Sequence, residues 1–304
     1  MHVFVTGATG WVGSAVIEEL QRAGHSVTGL ARSDGAAAML AAKGIPVHRG
    51  SLEDLERLRS GAAAADAVIH TAFNHDFSRF AENGAAERSA IEALGDALAG
   101  TGKPLIVTSG VALVAPGKVV TEAMTRDASI PFPRDPETVA AAVAARGVRV
   151  SVIRLSPSVH GTGEAHGFIP ITIGLARRHG RSAYAGTGEN RWPGVHVLDA
   201  ARLYRLALER GADHAVYHAV ADEGVPFREI AGIIGRRLDV PVESISGADV
   251  DAHFDWFAHF AQIDAPASSA HTRATLGWHP TEPGLLADLD SAAYFPSSPA
   301  TVVH

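Results

Sequence analysis

A short apolar strand, His2–Thr6, runs directly into Thr6-Gly7-Ala8-Thr9-Gly10-Trp11-Val12-Gly13 and from there into an amphipathic stretch. Three glycines at this spacing, between a strand and a helix, constrain the chain more than anything else in it. Gly7 permits the tight turn out of the strand, Gly10 lets the backbone come close to a pyrophosphate, and Gly13 lets helix and strand pack closely. An anion at this point sits on the N-terminus of a helix, where unpaired N–H groups and the dipole favour negative charge. The loop therefore predicts a β-α-β unit that binds a dinucleotide, with Thr9, Trp11 and Val12 completing the contact.

The rest of the first half repeats the alternation. Apolar runs at His2–Thr6, Ser26–Leu30, Pro46–His48, Ala67–Thr71, Leu105–Ser109 and Val148–Arg154 read as strands. Helical patterns at 11–23, 35–43, 52–60, 78–100 and 135–146 lie between or after them. Continuous apolar strands such as Ala67-Val68-Ile69 suit a sheet covered on both faces. The expected fold class is α/β, a Rossmann doubly wound parallel sheet with a small C-terminal lobe covering the substrate. Residues 1–160 form the dinucleotide domain, the strand and helix near 195–218 return to it, and 161–304 form mainly the lobe. In that second part, Ser156–Gly167 reads as a loop and Phe168–His179 as a helix. Val195–Val197 is a strand, followed by a helix capped by Asp199, and further helices lie near 226–237, 249–261 and 282–291. The tail Pro296–His304 is expected to fray.

Composition narrows the function. A formal net charge of −7 with no basic stripe argues against a nucleic-acid partner. Cysteine is absent, so thiolate chemistry and disulfides are excluded. No apolar run approaches the roughly 20 residues that span a bilayer, and the N-terminus lacks the regions of a signal peptide. The expectation is a cytoplasmic, non-membrane protein acting on a small molecule. The Ala-rich helical stretches at 78–100 and 138–146 could pair across a homodimer or pack within the chain. His160 and His166 flank Glu164 without a second ligand group at helical spacing, so no metal site is expected.

An NAD enzyme places an acid at the end of the second strand to hold the ribose hydroxyls. This chain has Leu30-Ala31-Arg32-Ser33 there. A guanidinium fork at Arg32, with the Ser33 hydroxyl beside it, suits a 2′-phosphate and points to NADP; Asp34 keeps NAD open.

The glycine loop, Val68-Ile69-His70-Thr71-Ala72 and Val107-Thr108-Ser109 resemble segments of the extended and atypical short-chain dehydrogenase/reductases, the NAD-dependent epimerase/dehydratase-like proteins. Val159-His160-Gly161 is similar to that family's Val-Tyr-Gly turn. Gly186-Thr187-Gly188 and Val195-His196-Val197-Leu198-Asp199 resemble its Gly-Asp-Gly and Val-His-Val-Asp-Asp segments. The resemblance implies that Ser51 and Leu52 flank the adenine, that Thr71, Ala72 and Phe73 line the ribose and phosphates, and that Thr108 approaches the nicotinamide ribose.

The family's chemistry rests on a Tyr-x-x-x-Lys pair, and here that pair cannot exist. Only three lysines are present, and Met39, Ala99 and Val114 stand four residues before them. Aligning Glu137 with the family glutamate puts Ser129 and Pro133 in the Tyr and Lys places, and Ser109 and Gly110 compete for the family serine. A proton donor must then come from elsewhere. His160 is the first candidate, followed by His75, oriented by Asp76, and Tyr184; His196, Trp192 and Phe168 are further expected pocket neighbours. The leading function is an NADP-dependent reductase of a small carbonyl, imine or activated alkene. The alternatives are a dinucleotide sensor without turnover, and a nucleotide-sugar epimerase or dehydratase in which Arg191 holds the diphosphate.

Overall fold

A computed structural model describes residues 1–126, 132–211 and 215–295. Ser129 and the tail Pro296–His304, both named above, lie outside the described residues. The first half comprises β1 (His2–Thr6), α1 (Trp11–Arg22), β2 (Ser26–Ala31), α2 (Asp34–Ala42), β3 (Val47–Arg49) and α3 (Leu55–Ala64). It continues with β4 (Ala67–His70), α4 (Phe80–Leu98), β5 (Pro104–Gly110), α5 (Pro136–Ala144) and β6 (Arg149–Leu155). The second half brings β7 (Ser158–His160), α6 (Phe168–His179), β8 (Ser182–Ala185), β9 (Arg191–His196), α7 (Val197–Arg210), β10 (Val216–Ala219) and β11 (Asp222–Pro226). After these come α8 (Phe227–Leu238), β12 (Val242–Ile245), α9 (Ala248–Phe254), α10 (Ala258–Gln262), α11 (Ala270–Leu276) and α12 (Leu285–Leu289).

Seven parallel strands form the main sheet in the order β10-β6-β5-β4-β1-β2-β3. Strand order reverses between β1 and β4, which opens a crevice at their C-terminal ends, the place where such sheets bind ligands. On α1, Gly13, Val16, Ile17 and Leu20 are buried at helical spacing, and this stripe packs with α7 on one face of the sheet. α3, α4 and α5 cover the other face around Phe4, Leu58 and Leu94. The Ala-rich helices α4 and α5 pack against each other: a Cβ on Gly95 would stand 2.4 Å from Val143, so the glycine sets their close approach.

The lobe holds a three-stranded sheet, β11-β9-β7, and a two-stranded one, β12-β8, over an aromatic core that includes Trp192, Phe227, Phe254 and Phe257. Of the returning segment, α7 packs on the main sheet and β10 pairs within it, while β9 pairs with β7 and β11 and buries Val195 in the main-sheet core. β7 lies inside the stretch expected as loop; three residues are too few to show a period, and pairing with β9 makes the strand. The cap of α7 also differs from expectation. His196 is the capping residue, its Nδ1 accepting from the Leu198 amide at 3.3 Å. Asp199 is buried in the first turn and receives the amides of Thr281 and Glu282, each at 3.0 Å. α3 starts three residues later than the apolar pattern suggested because Asp54 caps it by accepting from the Arg57 amide. Among the described residues, no helix is long and apolar enough to cross a membrane.

Candidate functional site

The crevice begins at the glycine loop. Gly7 has φ +70°, and a Cβ there would lie 2.6 Å from Thr71 Oγ1; one on Gly13 would lie 2.1 Å from the Gly7 carbonyl oxygen. Both glycines are consumed by packing. Gly10 differs: an added Cβ would meet only the Gly7 carbonyl oxygen, at 3.2 Å, so its outer side faces open space. The first backbone bond of α1 runs from Ser14 N–H to the Gly10 carbonyl, at 2.9 Å, and no side chain caps the helix. The amides of Trp11, Val12 and Gly13 precede that bond and point along the helix axis into the crevice. An open cradle of backbone donors at an uncapped helix end fits a pyrophosphate. Trp11 is anchored across the crevice, its indole N–H donating to the Val159 carbonyl at 2.7 Å.

At the far end of the crevice, Arg32 is exposed after β2. The Ser33 hydroxyl is occupied as the cap of α2, accepting from the Ala36 amide at 3.2 Å. A second cation, unanticipated from the sequence, stands there. Arg49 donates to the Ser33 carbonyl at 2.7 Å and pairs with Asp34 at 2.5 Å, so the nearest acid is already neutralised. Ser51 holds the Glu53 carboxyl below the usual carboxylate range by a hydrogen bond, with Arg32 adding attraction. Leu52 packs on the core beneath.

Where β4 and β5 end, side chains close on one another. Thr71 donates to the Thr6 carbonyl at 2.8 Å and ties β4 to β1. Thr108 donates to the His70 carbonyl at 2.7 Å, so at 2.6 Å Tyr204 must be the donor to Thr108. The Thr108 hydroxyl is thus turned into the protein. His70 is fully buried with Nδ1 on the Thr6 hydroxyl; burial, then the nearby Arg134 charge, lowers its pKa to about 3. Arg134 was also missed. Its guanidinium forks onto the buried Glu87 at 2.9 and 2.7 Å, lies 4.3 Å from the Phe73 ring centre, and reaches to 3.4 Å from the Thr108 carbonyl. It stands one residue past Pro133, the family lysine's aligned place; a cation displaced by one residue was the readable signal.

The proton-donor candidates are dispersed. Ser109 donates to Glu137 at 2.7 Å, and Glu137 is clamped by the fully buried Arg154 at 2.8 and 2.6 Å, so the serine faces α5. Tyr184 lies on β8, packed on the lobe core beside Gly188. Trp192 and Phe168 belong to the same core, their rings 5.6 Å apart. His160 is wholly buried, with Nδ1 2.8 Å from Asp288 and its ring 5.5 Å from that of His196. Beside it, Tyr294 accepts from the Gly161 amide and donates to Glu164, both at 2.8 Å. Burial, with Asp288 nearby, pushes Glu164 up to about 8.

His75 is placed differently. It borders a cavity of about 840 Å³ that opens beyond β4 and β5. His75, Asp76, Ser78 and Phe80 form one wall, Leu113, Val114 and Pro116 another, and the lobe contributes Trp256, His259, Phe260 and Ile263. The His75 ring meets Phe73 edge-on at 5.2 Å. Loss of hydration at the ring, and then the Arg134 charge, hold its pKa below the ordinary value.

A model of the NAD dependent epimerase/dehydratase family matches residues 3–129. An uncharacterized protein of Schizosaccharomyces pombe is 48% identical over 97% of this chain and 100% of its own length. A 4-hydroxy-2-methyl-3-oxo-4-farnesyl-3,4-dihydroquinoline-1-oxide ketoreductase of Stigmatella aurantiaca is 27% identical over 88% of this chain and 84% of its own length. Among solved structures, the UDP-glucose 4-epimerase of Thermus thermophilus in complex with NAD superposes with a TM-score of 0.75 at 18% identity, covering 98% of this chain and 100% of that one. The glycine cradle, the sheet order and these likenesses agree: the chain belongs to the NAD-dependent epimerase/dehydratase family, NAD(P)-dependent oxidoreductases of the extended short-chain dehydrogenase/reductase fold.

Proposed function

We propose that the chain is an NADP-dependent reductase of a small carbonyl, imine or activated alkene, with a histidine in place of the family's phenol. The observation that carries this reading is His75, which follows β4 and stands on the wall of the cavity of about 840 Å³. The Trp11, Val12 and Gly13 amides, with Thr9, hold the pyrophosphate. Ser51 and Leu52 flank the adenine, and Thr71, Ala72 and Phe73 line the ribose and phosphates. Arg32 and Arg49 favour a 2′-phosphate, and Asp34 beside them is paired with Arg49. When bound, the nicotinamide supplies a hydride to the acceptor carbon.

The acceptor oxygen or nitrogen then needs a proton. His75 reaches both the cavity and solvent, so it can deliver that proton and recover one from water. Its lowered pKa makes the imidazolium a stronger acid but leaves less of it near neutrality, so reduction accelerates as pH falls through the region below 6.5. His160 has no such access; its role is to fix β7 against α12 through Asp288.

Fluorescence titration and a carbonyl and imine screen test the reading. NADPH binds more tightly than NADH, and Arg32→Ala removes most of the difference. His75→Ala lowers kcat by roughly 10²–10⁴-fold with NADPH affinity kept, while His160→Ala lowers the melting temperature. Equal affinity for the two dinucleotides sinks the NADP assignment. NADPH binding with no turnover across the whole panel sinks the reductase and leaves a sensor.

A further inference from the structure

Building on the reductase reading, we propose that the cavity accepts an uncharged carbonyl compound with an extended apolar or aromatic tail, seated between Phe80 and Phe132 on one side and Trp256 and Phe260 on the other. A nucleoside-diphosphate sugar does not fit this cavity. Two observations of different kinds lead there.

The first is the wall. Rings run outward from the strand ends: Phe73 to Phe80 at 5.9 Å, then Phe80 to Phe132 at 5.5 Å. Across the cavity Trp256 lies 6.2 Å from Phe260. Phe132 and Trp256 are 37% and 48% exposed, large apolar groups left to water at the mouth of a space of about 840 Å³. Aromatic faces of this kind recover free energy by covering an apolar chain or ring.

The second is charge. A diphosphate desolvated away from a helix N-terminus needs cations to pair with it. Three arginines on the lobe side of the crevice are each already tied to a carboxylate. Arg126 pairs with Asp135 at 2.7 Å, and Arg134 with Glu87 through two bonds. Arg191, the residue expected to hold a diphosphate, places Nε and Nη2 on Asp264 at 2.9 and 2.8 Å, and its amide bonds the same carboxylate. Taking any of these for phosphate would strand a carboxylate beside it. Asp76 adds a further negative group at the cavity wall, its oxygen accepting from the Ser78 amide and hydroxyl. His75, Asp76 and Ser78 share the wall that follows β4, which suits a single carbonyl head there with an apolar body against the rings.

The probes are a series of methyl ketones from 2-butanone to 2-undecanone, 4-phenyl-2-butanone, and UDP-glucose. Binding to the NADP⁺-loaded protein is read by isothermal titration calorimetry, which reports on the Trp256 variant as it does on the wild type. Ketone affinity should rise by up to about fourfold per methylene until the cavity fills. Trp256→Ala and Phe260→Ala should each weaken the longer ketones by about tenfold with NADP⁺ binding unchanged; Phe260→Leu serves if the alanine variant does not fold. UDP-glucose should give no saturable signal at millimolar concentration. Affinity independent of chain length, or UDP-glucose binding as tightly as the ketones, overturns the proposal even if NADPH is consumed with small carbonyls. Chain-length-dependent binding without NADPH consumption upholds the cavity assignment and removes the reductase.

Discussion

On the β1 and β2 side of the crevice the wall is backbone. Gly7 and Gly13 leave no room for a Cβ, and the groups that face a ligand are amides of a helix end. On the β5 and lobe side the wall is made of side-chain pairs joined over long stretches of chain. Arg134 and Glu87 are 47 residues apart, His160 and Asp288 are 128, and Tyr294 and Glu164 are 130. A backbone wall turns no titrating group towards the ligand and has one geometry; a wall of buried pairs depends on every partner and on pH. The first side therefore suits a constant ligand, the dinucleotide, and the second can be rebuilt for different substrates while the sheet stays the same.

The largest expected effect breaks the side-chain wall. Arg134→Ala leaves Glu87, 2% exposed, without its cation, and losing one member of a buried pair costs about 3–5 kcal/mol. Urea unfolding measures it. Adding Glu87→Leu should return much of that loss, since the double variant strands no charge. A cost below about 1 kcal/mol for Arg134→Ala would mean that other contacts hold this wall.

The same substitution made twice on the backbone side separates packing from ligand approach. Gly13→Ala should cost about 3 kcal/mol or prevent folding, because its Cβ cannot coexist with the Gly7 carbonyl 2.1 Å away. Gly10→Ala should keep the melting temperature within a few degrees yet weaken NADPH by at least about tenfold, because its methyl enters the pyrophosphate's space. Equal NADPH affinity in the Gly10 variant and the wild type would remove the phosphate cradle.

This contrast also explains what could be read from the residues alone. The cradle is local: the twelve consecutive residues from His2 to Gly13 carry the strand, the turn and the helix start, and the main sheet follows from the same short-range periodicity. Arg32 was readable as a loop position after β2, but Arg49 was not, because only the pairing of β3 with β2 brings it to Ser33 and Asp34. Ser109 and His160 were sensible chemical candidates placed by strand order. Their orientation was set by Glu137 and Asp288, distant partners that no spacing reveals. The aromatic wall was invisible for the same reason, since Phe80 and Trp256 come to line one cavity only when the lobe folds over the sheet.

The most gradual effect sets two buried titrating groups in opposition. His70 belongs to the sheet side, where burial holds its folded pKa at about 3 against 6.5 in the unfolded chain. Above 6.5 both states are neutral and its contribution is complete. As pH falls from 6.5 towards 3 the unfolded chain gains a proton that the native protein refuses, and stability is lost. Glu164 belongs to the lobe side, with a folded pKa of about 8 against 4.5 unfolded. Below 4.5 both states are protonated; as pH rises towards 8 the unfolded chain releases a proton the native protein keeps, and stability is again lost. Each group acts with a slope of at most about 1.4 kcal/mol per pH unit, and between 4.5 and 6.5 the two slopes cancel. Unfolding free energies from pH 5 to 8 for the wild type, Glu164→Gln and His70→Asn separate them. The Glu164→Gln curve should climb relative to the wild type as pH rises, because glutamine keeps an acceptor for Tyr294 and has no proton to lose. The His70→Asn curve should climb relative to the wild type in the other direction, as pH falls below 6.5. Curves parallel to the wild type in both variants would show that neither side of the crevice holds its buried group in the neutral form, and the contrast between a pH-insensitive cradle and a pH-sensitive lobe wall would have to rest on Arg134 and Glu87 alone.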